Sequence, residues 1–339
     1  MIVDLRSDTV TKPTPQMLDA MFSANVGDDV YEEDESVNAL ERKAAAMFGM
    51  DDALFCPSGT MTNQIAIKCH TAPMDEVICD ESSHIYRYET GGIAFNSGAS
   101  VKLLYGDRGR LTAEMIEKVI NPDDVCMPHS KLIVLENTCN RGGGSYYDLD
   151  EIESIYHLAR LKNCNLHLDG ARLFNALVET GDSMERYGHF FDTISICLSK
   201  GLGAPVGSVL LGDIKTIRQA RRIRKVFGGG MRQAGFLAAA GSYALDHHID
   251  RLKTDHLHAR LLGETLEKLS YADKVLPVDT NIVIVKLQDD VNADVYVERM
   301  RDNGILCSRF GEQLVRFVTH LDITPEMIDH TITVCKKLH

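Results

Sequence analysis

Three short segments carry side chains that chemistry could use. Leu166-His167-Leu168 runs into Asp169-Gly170-Ala171-Arg172, so a carboxylate closes an apolar run. Ser195-Ile196-Cys197-Leu198 runs into Ser199-Lys200-Gly201, which leaves an amine at the same kind of position. A lysine at such a strand end is a candidate nucleophile toward carbonyls. Upstream, Ala53-Leu54-Phe55-Cys56 leads into Pro57-Ser58-Gly59-Thr60, a tight turn opening a helix whose free N–H groups suit a phosphate. The lysine of a Walker loop is missing. His84 follows the apolar run that ends near Asp80, where it could stack on a flat ring or move a proton. Taken singly, each feature has a plain structural explanation in capping, solvation or loop hydrogen bonding. Together they meet the needs of pyridoxal 5'-phosphate: a lysine for its aldehyde, a carboxylate for its ring nitrogen, and donors for its phosphate.

These residues need a scaffold that brings strand ends together. Short apolar runs at Ala53–Cys56, Glu76–Cys79, Lys102–Leu104, Leu132–Leu135, Asn165–Leu168, Thr193–Leu198 and Ser208–Leu211 read as strands. Segments of helical periodicity lie between them at Thr60–His70, Thr112–Val119, Leu149–Leu161 and Ile214–Val226. The alternation predicts an α/β fold with a parallel sheet, whose ligands sit at the carboxyl ends of the strands. A long helical stretch, Met231–Leu269, then leads to a strand at Ile282–Leu287, a helix at Ala293–Asn303, strands at Ile305–Ser308 and Leu314–Phe317, and a helix at Pro325–Lys337. That order predicts a smaller α+β domain. The expected division is a large cofactor-binding domain over 13–245, with 1–12 and 246–339 forming an N-terminal arm and the small domain.

Composition removes other classes of function. The chain has 339 residues, 44% of them hydrophobic, with 49 acidic against 36 basic side chains for a formal charge of −13. A disordered chain is excluded, and the acidic balance argues against bulk nucleic-acid binding. Nine cysteines, an odd number without a C-x-x-C pair, read as reduced thiols in a cytoplasmic protein. Met1–Arg6 lacks the apolar run of a signal peptide, and no segment is apolar for long enough to span a membrane. The histidines at 247, 248, 256 and 258 lack the i, i+4 pair with a nearby glutamate of helix-borne zinc sites, so no catalytic metal is expected.

Longer motifs then align. Asp4-Leu5-Arg6-Ser7-Asp8-Thr9-Val10-Thr11, Gly27-Asp28-Asp29-Val30-Tyr31, Pro57-Ser58-Gly59-Thr60-Met61-Thr62-Asn63, Glu136-Asn137-Thr138, His167–Leu173, Leu198–Gly207 and Gly228–Gly235 occur in one chain. In these the sequence resembles the pyridoxal-phosphate-dependent low-specificity L-threonine aldolases of the fold-type I aminotransferase-like superfamily. The resemblance implies a large domain with a mostly parallel seven-stranded sheet between helices. It also implies cleavage of L-threonine or L-allo-threonine to glycine and acetaldehyde. Lys200 would bond to the cofactor aldehyde, Asp169 would pair with the ring nitrogen, His84 would stack on the ring, and Ser58, Gly59 and Thr60 would hold the phosphate. Arg172 and Ser199 join that cofactor set. Ser7, Arg172 and Arg316 would receive the substrate carboxylate, a role suited to guanidinium forks. Similar enzymes are homotetramers, dimers of dimers with shared active sites, which would place Lys225 and Arg232 near the adjoining subunit's cofactor.

Two departures stand out: Cys126 and Cys139 occupy positions where relatives commonly carry histidine. The first of those histidines contacts the substrate hydroxyl in the family, so Cys126, or His129 three residues on, is expected at that place. The thiol is a poorer partner, which leaves His84 or a phosphate-bound water as the better base. A racemase, or an aldolase for a bulkier amino acid such as phenylserine, is the nearest other reading.

Overall fold

The computed structural model describes residues 1–338. Strand β1 (Val3–Asp4) belongs to an N-terminal arm. Next in the chain are β2 (Asp52–Cys56), β3 (Asp75–Asp80), β4 (Ser100–Leu104), β5 (His129–Glu136), β6 (Asn165–Gly170), β7 (Thr193–Cys197) and β8 (Ser208–Gly212). These seven form one sheet in the order β2-β8-β7-β6-β5-β3-β4. β8 alone runs antiparallel to its neighbours, so the α/β, mostly parallel expectation holds.

The inner strands β6, β7 and β8 are buried along nearly their whole length because both faces are covered. Side chains alternate across the sheet with a period of two. Leu54, Cys56 and Leu210 pack with Ile65 and Ala66 of the helix Gly59–His70 and with Ile217 of the helix Ile214–Val226. Ala53, Phe55, Leu166, Leu168, Ile194 and Ile196 face the other way, toward Val37, Leu40, Ile152 and Ala238.

Strands β9 (Ala272–Val275), β10 (Ile282–Leu287), β12 (Ser308–Arg309) and β13 (Leu314–Val318) make a four-stranded antiparallel sheet. β11 (Ile305–Leu306) pairs in parallel with β1. A second apolar cluster, with Val3 and Leu5 and then residues from Ala259 to Cys335, lies under this part.

Two expectations need correction. The strand expected over Ile305–Ser308 is split at Cys307, because its first half pairs with the arm and its second half with β13. The helix expected over Met231–Leu269 is two helices, Gly235–His247 and Leu252–Leu266. At the break, His248 Nδ1 meets the Leu202 carbonyl at 2.7 Å and Arg251 donates to the Gly201 carbonyl at 3.2 Å. The interruption thus pins the loop that follows Lys200.

Candidate active site

Register puts the carboxyl ends of β5, β6 and β7 side by side, with Glu136 opposite Asp169 and Gly170 opposite Ile196. Asp169 is 2% exposed and accepts from Asn63 Nδ2 at 2.9 Å and from the Ala171 amide at 3.2 Å. Asn63 gives its other amide hydrogen to Glu89 at 2.9 Å, and Glu89 meets His84 Nδ1 at 3.0 Å. Burial opposes charge on His84, but the hydrogen bond to Glu89 and the nearby Asp169 outweigh it and raise its pKa. Ligand atoms of His84, Glu89 and Asp169 lie within 4.8 Å of one another.

Behind Asp169 lies a buried chain of hydrogen bonds. Asn63 Nδ2 donates to two carboxylates, and its Oδ1 meets His167 Nε2 at 3.2 Å. Burial lowers the His167 pKa to about 4, so the ring is neutral. His167 Nδ1 lies 3.1 Å from the Thr193 carbonyl and 2.9 Å from the Thr193 hydroxyl, which also meets His70 Nε2 at 3.0 Å. The chain therefore crosses the sheet and ends on Asp169.

Lys200 lines a cavity of about 420 Å³ together with Ser7, His84, Glu136, Arg172 and Arg316. The arm, held by β1 and by the Val318 amide donating to the Leu5 carbonyl at 2.8 Å, carries Ser7 and Asp8 to it. Arg172 gives Nε and Nη2 to the two oxygens of Asp8, both at 2.7 Å, with both residues buried. Burial would raise the Asp8 pKa, but Arg172 overcomes this and holds it well below the usual carboxylate range. The expected role of Arg172 is thus narrowed: Nη1 and the second Nη2 hydrogen are left to face a substrate carboxylate. Arg316 donates to Asn140 Oδ1 at 2.8 Å and to the Arg6 carbonyl at 2.9 Å, and its buried Nε has no partner among the described residues. Burial, with Arg172 nearby, lowers its pKa to about 10.

The turn at Pro57–Thr60 opens the helix Gly59–His70, with the Ser58 hydroxyl accepting from the Met61 amide at 3.2 Å. Ser58 and Thr60 are exposed toward a neighbouring depression. A Cβ on Gly59 would stand 3.4 Å from Ser208 Oγ, a buried hydroxyl with no partner among the described residues. Free helix amides over an unsatisfied hydroxyl suit a phosphate. With the amine of Lys200, the carboxylate of Asp169 and the ring of His84, the donor set fits pyridoxal 5'-phosphate.

Other expected residues are not in this cavity. Ser199 Oγ contacts Cys197 Sγ at 3.5 Å instead. Lys225 lines a separate cleft with Arg221 and Arg222, and Arg232 pairs with Asp28 at 2.8 Å. Cys126 is exposed, and His129 stands 3.4 Å from Asp75 at the amino end of β5. That strand has eight residues, so at about 3.3 Å each its two ends lie roughly 23 Å apart. Neither Cys126 nor His129 lines the cavity of its own chain, so the expected contact with the substrate hydroxyl is not made within one chain. Cys139 is buried and donates to the Glu136 carbonyl at 3.1 Å, a packing role.

Several site residues escaped the sequence reading: Glu136, Tyr88, Asn140, Arg141 and Phe310 line the cavity, and Asn63 and His167 stand behind it. Glu136 accepts from the amides of His84 at 2.7 Å and Asn140 at 2.9 Å. Burial, and then Asp169, push its pKa up to about 7. Its position directly after the apolar run Leu132–Leu135 was the available signal.

Residues 4–290 match the model of the beta-eliminating lyase family. A low-specificity L-threonine aldolase of Escherichia coli O157:H7 is 40% identical over 328 residues, covering 96% of both chains. Among solved structures, a threonine aldolase of Leishmania major superposes with a TM-score of 0.86 at 22% identity, covering 99% of both chains. A serine palmitoyltransferase of S. paucimobilis with bound PLP gives 0.76 at 17% identity, covering 99% of this chain and 87% of that one. At such identities the last two speak for the fold alone.

Proposed function

The chain belongs to the low-specificity L-threonine aldolases of the beta-eliminating lyase family, and from that membership we propose the chemistry of its cleft. It is a pyridoxal-phosphate-dependent carbon–carbon lyase that cleaves L-threonine and L-allo-threonine to glycine and acetaldehyde. The observation that carries the assignment of residues is the meeting of Lys200, His84 and Arg316 in one cavity with Asp169 buried at its edge.

Lys200, His84, Asp169 and the Ser58–Thr60 turn would hold pyridoxal 5'-phosphate. When bound, it supplies an electron sink for the pair released from the Cα–Cβ bond. Arg316, with Ser7 and Arg172 Nη1, binds the α-carboxylate and fixes which bond at Cα stands in line for cleavage. Asp169, held by Asn63, would pair with the ring nitrogen. The β-hydroxyl proton needs an acceptor that titrates near neutrality. Glu136, at about 7, and His84 are the cavity groups able to hold it.

The two apolar clusters support the division into 13–245 and 1–12 with 246–339. Phe95 and Val226, 90% and 81% exposed beside the Ser58 turn, support a shared-site homotetramer. Free cysteines support a reducing, cytoplasmic setting. The relatives favour aldol cleavage over racemisation or a phenylserine preference.

The test is an assay of glycine and acetaldehyde from both threonine diastereomers, with alanine alongside. Borohydride reduction should fix the cofactor on Lys200. Racemised alanine without aldehyde release, or cofactor fixed elsewhere, would overturn the reading.

A further inference from the structure

Charge in the cavity does not balance for a substrate with one carboxylate. Of its arginines, Arg172 is neutralised by Asp8 and Arg309 by Asp294. Arg141 and Arg316 have no carboxylate within 4.0 Å among the described residues. Glu136 lines the same cavity but makes no ion pair with either guanidinium among the described residues. The phosphate turn opens on a different depression, so the cofactor's phosphate does not answer Arg141.

Arg141 is built to stay where it is. Its Cζ lies 4.2 Å from the centroid of Phe310 and its Nη1 donates to the Phe310 carbonyl at 2.7 Å. Gly142 and Gly144 anchor the following loop, because a Cβ on either would collide with the Arg108 carbonyl or the Thr280 hydroxyl. Nε and Nη2 of Arg141 have no partner among the described residues. Arg316 Cζ lies 4.5 Å from the same ring, so the two guanidiniums are within about 9 Å of one another. A stacked guanidinium with a free N–H edge is preorganised for a bidentate carboxylate.

We propose that Arg141 forms a second anion subsite and that the enzyme takes β-hydroxy amino acids whose β-carbon bears a carboxylate, of the 3-hydroxyaspartate type. The inference rests on the aldolase reading of the same cleft. Arg316 takes the α-carboxylate and Arg141 the distal one. Breaking the Cα–Cβ bond leaves its electron pair with Cα, which gains a proton to give glycine. The β-hydroxyl loses its proton, and the β-carbon becomes the aldehyde of glyoxylate, so all atoms are accounted for.

Two measurements on the holoenzyme test this. Calorimetric titration with succinate and with butyrate reads the subsite without turnover. Succinate is expected to bind about ten-fold tighter or more, and Arg141→Gln to erase that preference. In turnover, the ratio of kcat/KM for 3-hydroxyaspartate to that for threonine should fall by about ten-fold or more in Arg141→Gln, and Arg141→Lys should recover only part of it, since lysine keeps the charge but not the stacked fork. Equal affinity for succinate and butyrate, or an unchanged ratio in Arg141→Gln, overturns the subsite. Failure to cleave threonine counts against the aldolase reading instead, and the succinate titration still decides the subsite.

Discussion

The two walls of the cleft satisfy their polar groups in opposite ways. On the strand-end wall Asp169, Glu89, Asn63, His167 and Thr193 are buried and bonded to one another. On the facing wall Arg316 and Arg141 flank Phe310 with N–H groups to spare and no carboxylate opposite. A closed set of hydrogen bonds fixes geometry, because leaving any member unpaired in a buried place is costly. Open cations do the reverse: they are held in place by packing and wait for an anion. One wall is therefore suited to hold a cofactor that stays, the other to receive substrates that come and go.

The pair Asp8–Arg172 joins the walls, and breaking it should have the largest effect. Asp8→Asn leaves a buried guanidinium uncompensated and is expected to cost about 3–5 kcal/mol, read as a lower denaturant midpoint. An unchanged midpoint would mean that the junction is not a structural tie.

Asp169→Asn should lower kcat by roughly 10²–10³-fold while leaving substrate KM nearly alone, since its wall does not touch the carboxylate. Arg316→Gln should show the opposite pattern, with KM raised about ten-fold or more and a smaller change in kcat. If both variants altered kcat and KM alike, the division of labour between the walls would be lost.

Within the bonded wall, His167→Leu strands Asn63 Oδ1 and should cost about 1–3 kcal/mol. It should also shift the pH dependence of cofactor absorbance, because Asn63 then holds Asp169 less firmly. A stability loss with unmoved absorbance would confine His167 to packing.

A last expected effect is a slope with pH. Between its ordinary value of 4.5 and about 7, Glu136 keeps its proton in the fold while the unfolded chain gives it up. Its contribution to stability is therefore full below about pH 4.5 and is lost as pH rises through 7. Glu136→Gln should flatten that part of the stability profile in denaturation curves taken between pH 5 and 8.

Much of this was legible in the chain. The helices Leu149–Leu161, Ile214–Val226 and Pro325–Lys337 stand where periodicity places them. All seven expected strands join the main sheet, and the inner ones were legible because runs buried on both faces announce themselves by composition. Asp169 and Lys200 were readable as polar residues closing such runs. The break at His248–Arg251 was not, since its cause is a pair of bonds to the Lys200 loop, far away in sequence. Arg141 and Phe310 gave no local signal either: 169 positions apart, they mean something only where they touch.

The sequence by itself determined the sheet, the polar residues at its strand ends and the family. These depend on patterns within a few residues, or on motifs whose order along the chain carries the information. The tertiary structure decided which charges are answered and which are left open. Asp8 reaches Arg172 across 164 positions, and Arg316 reaches Asn140 across 176. Whether a cation is neutralised depends on distances of a few ångströms between segments that the sequence keeps far apart, and only packing sets those distances.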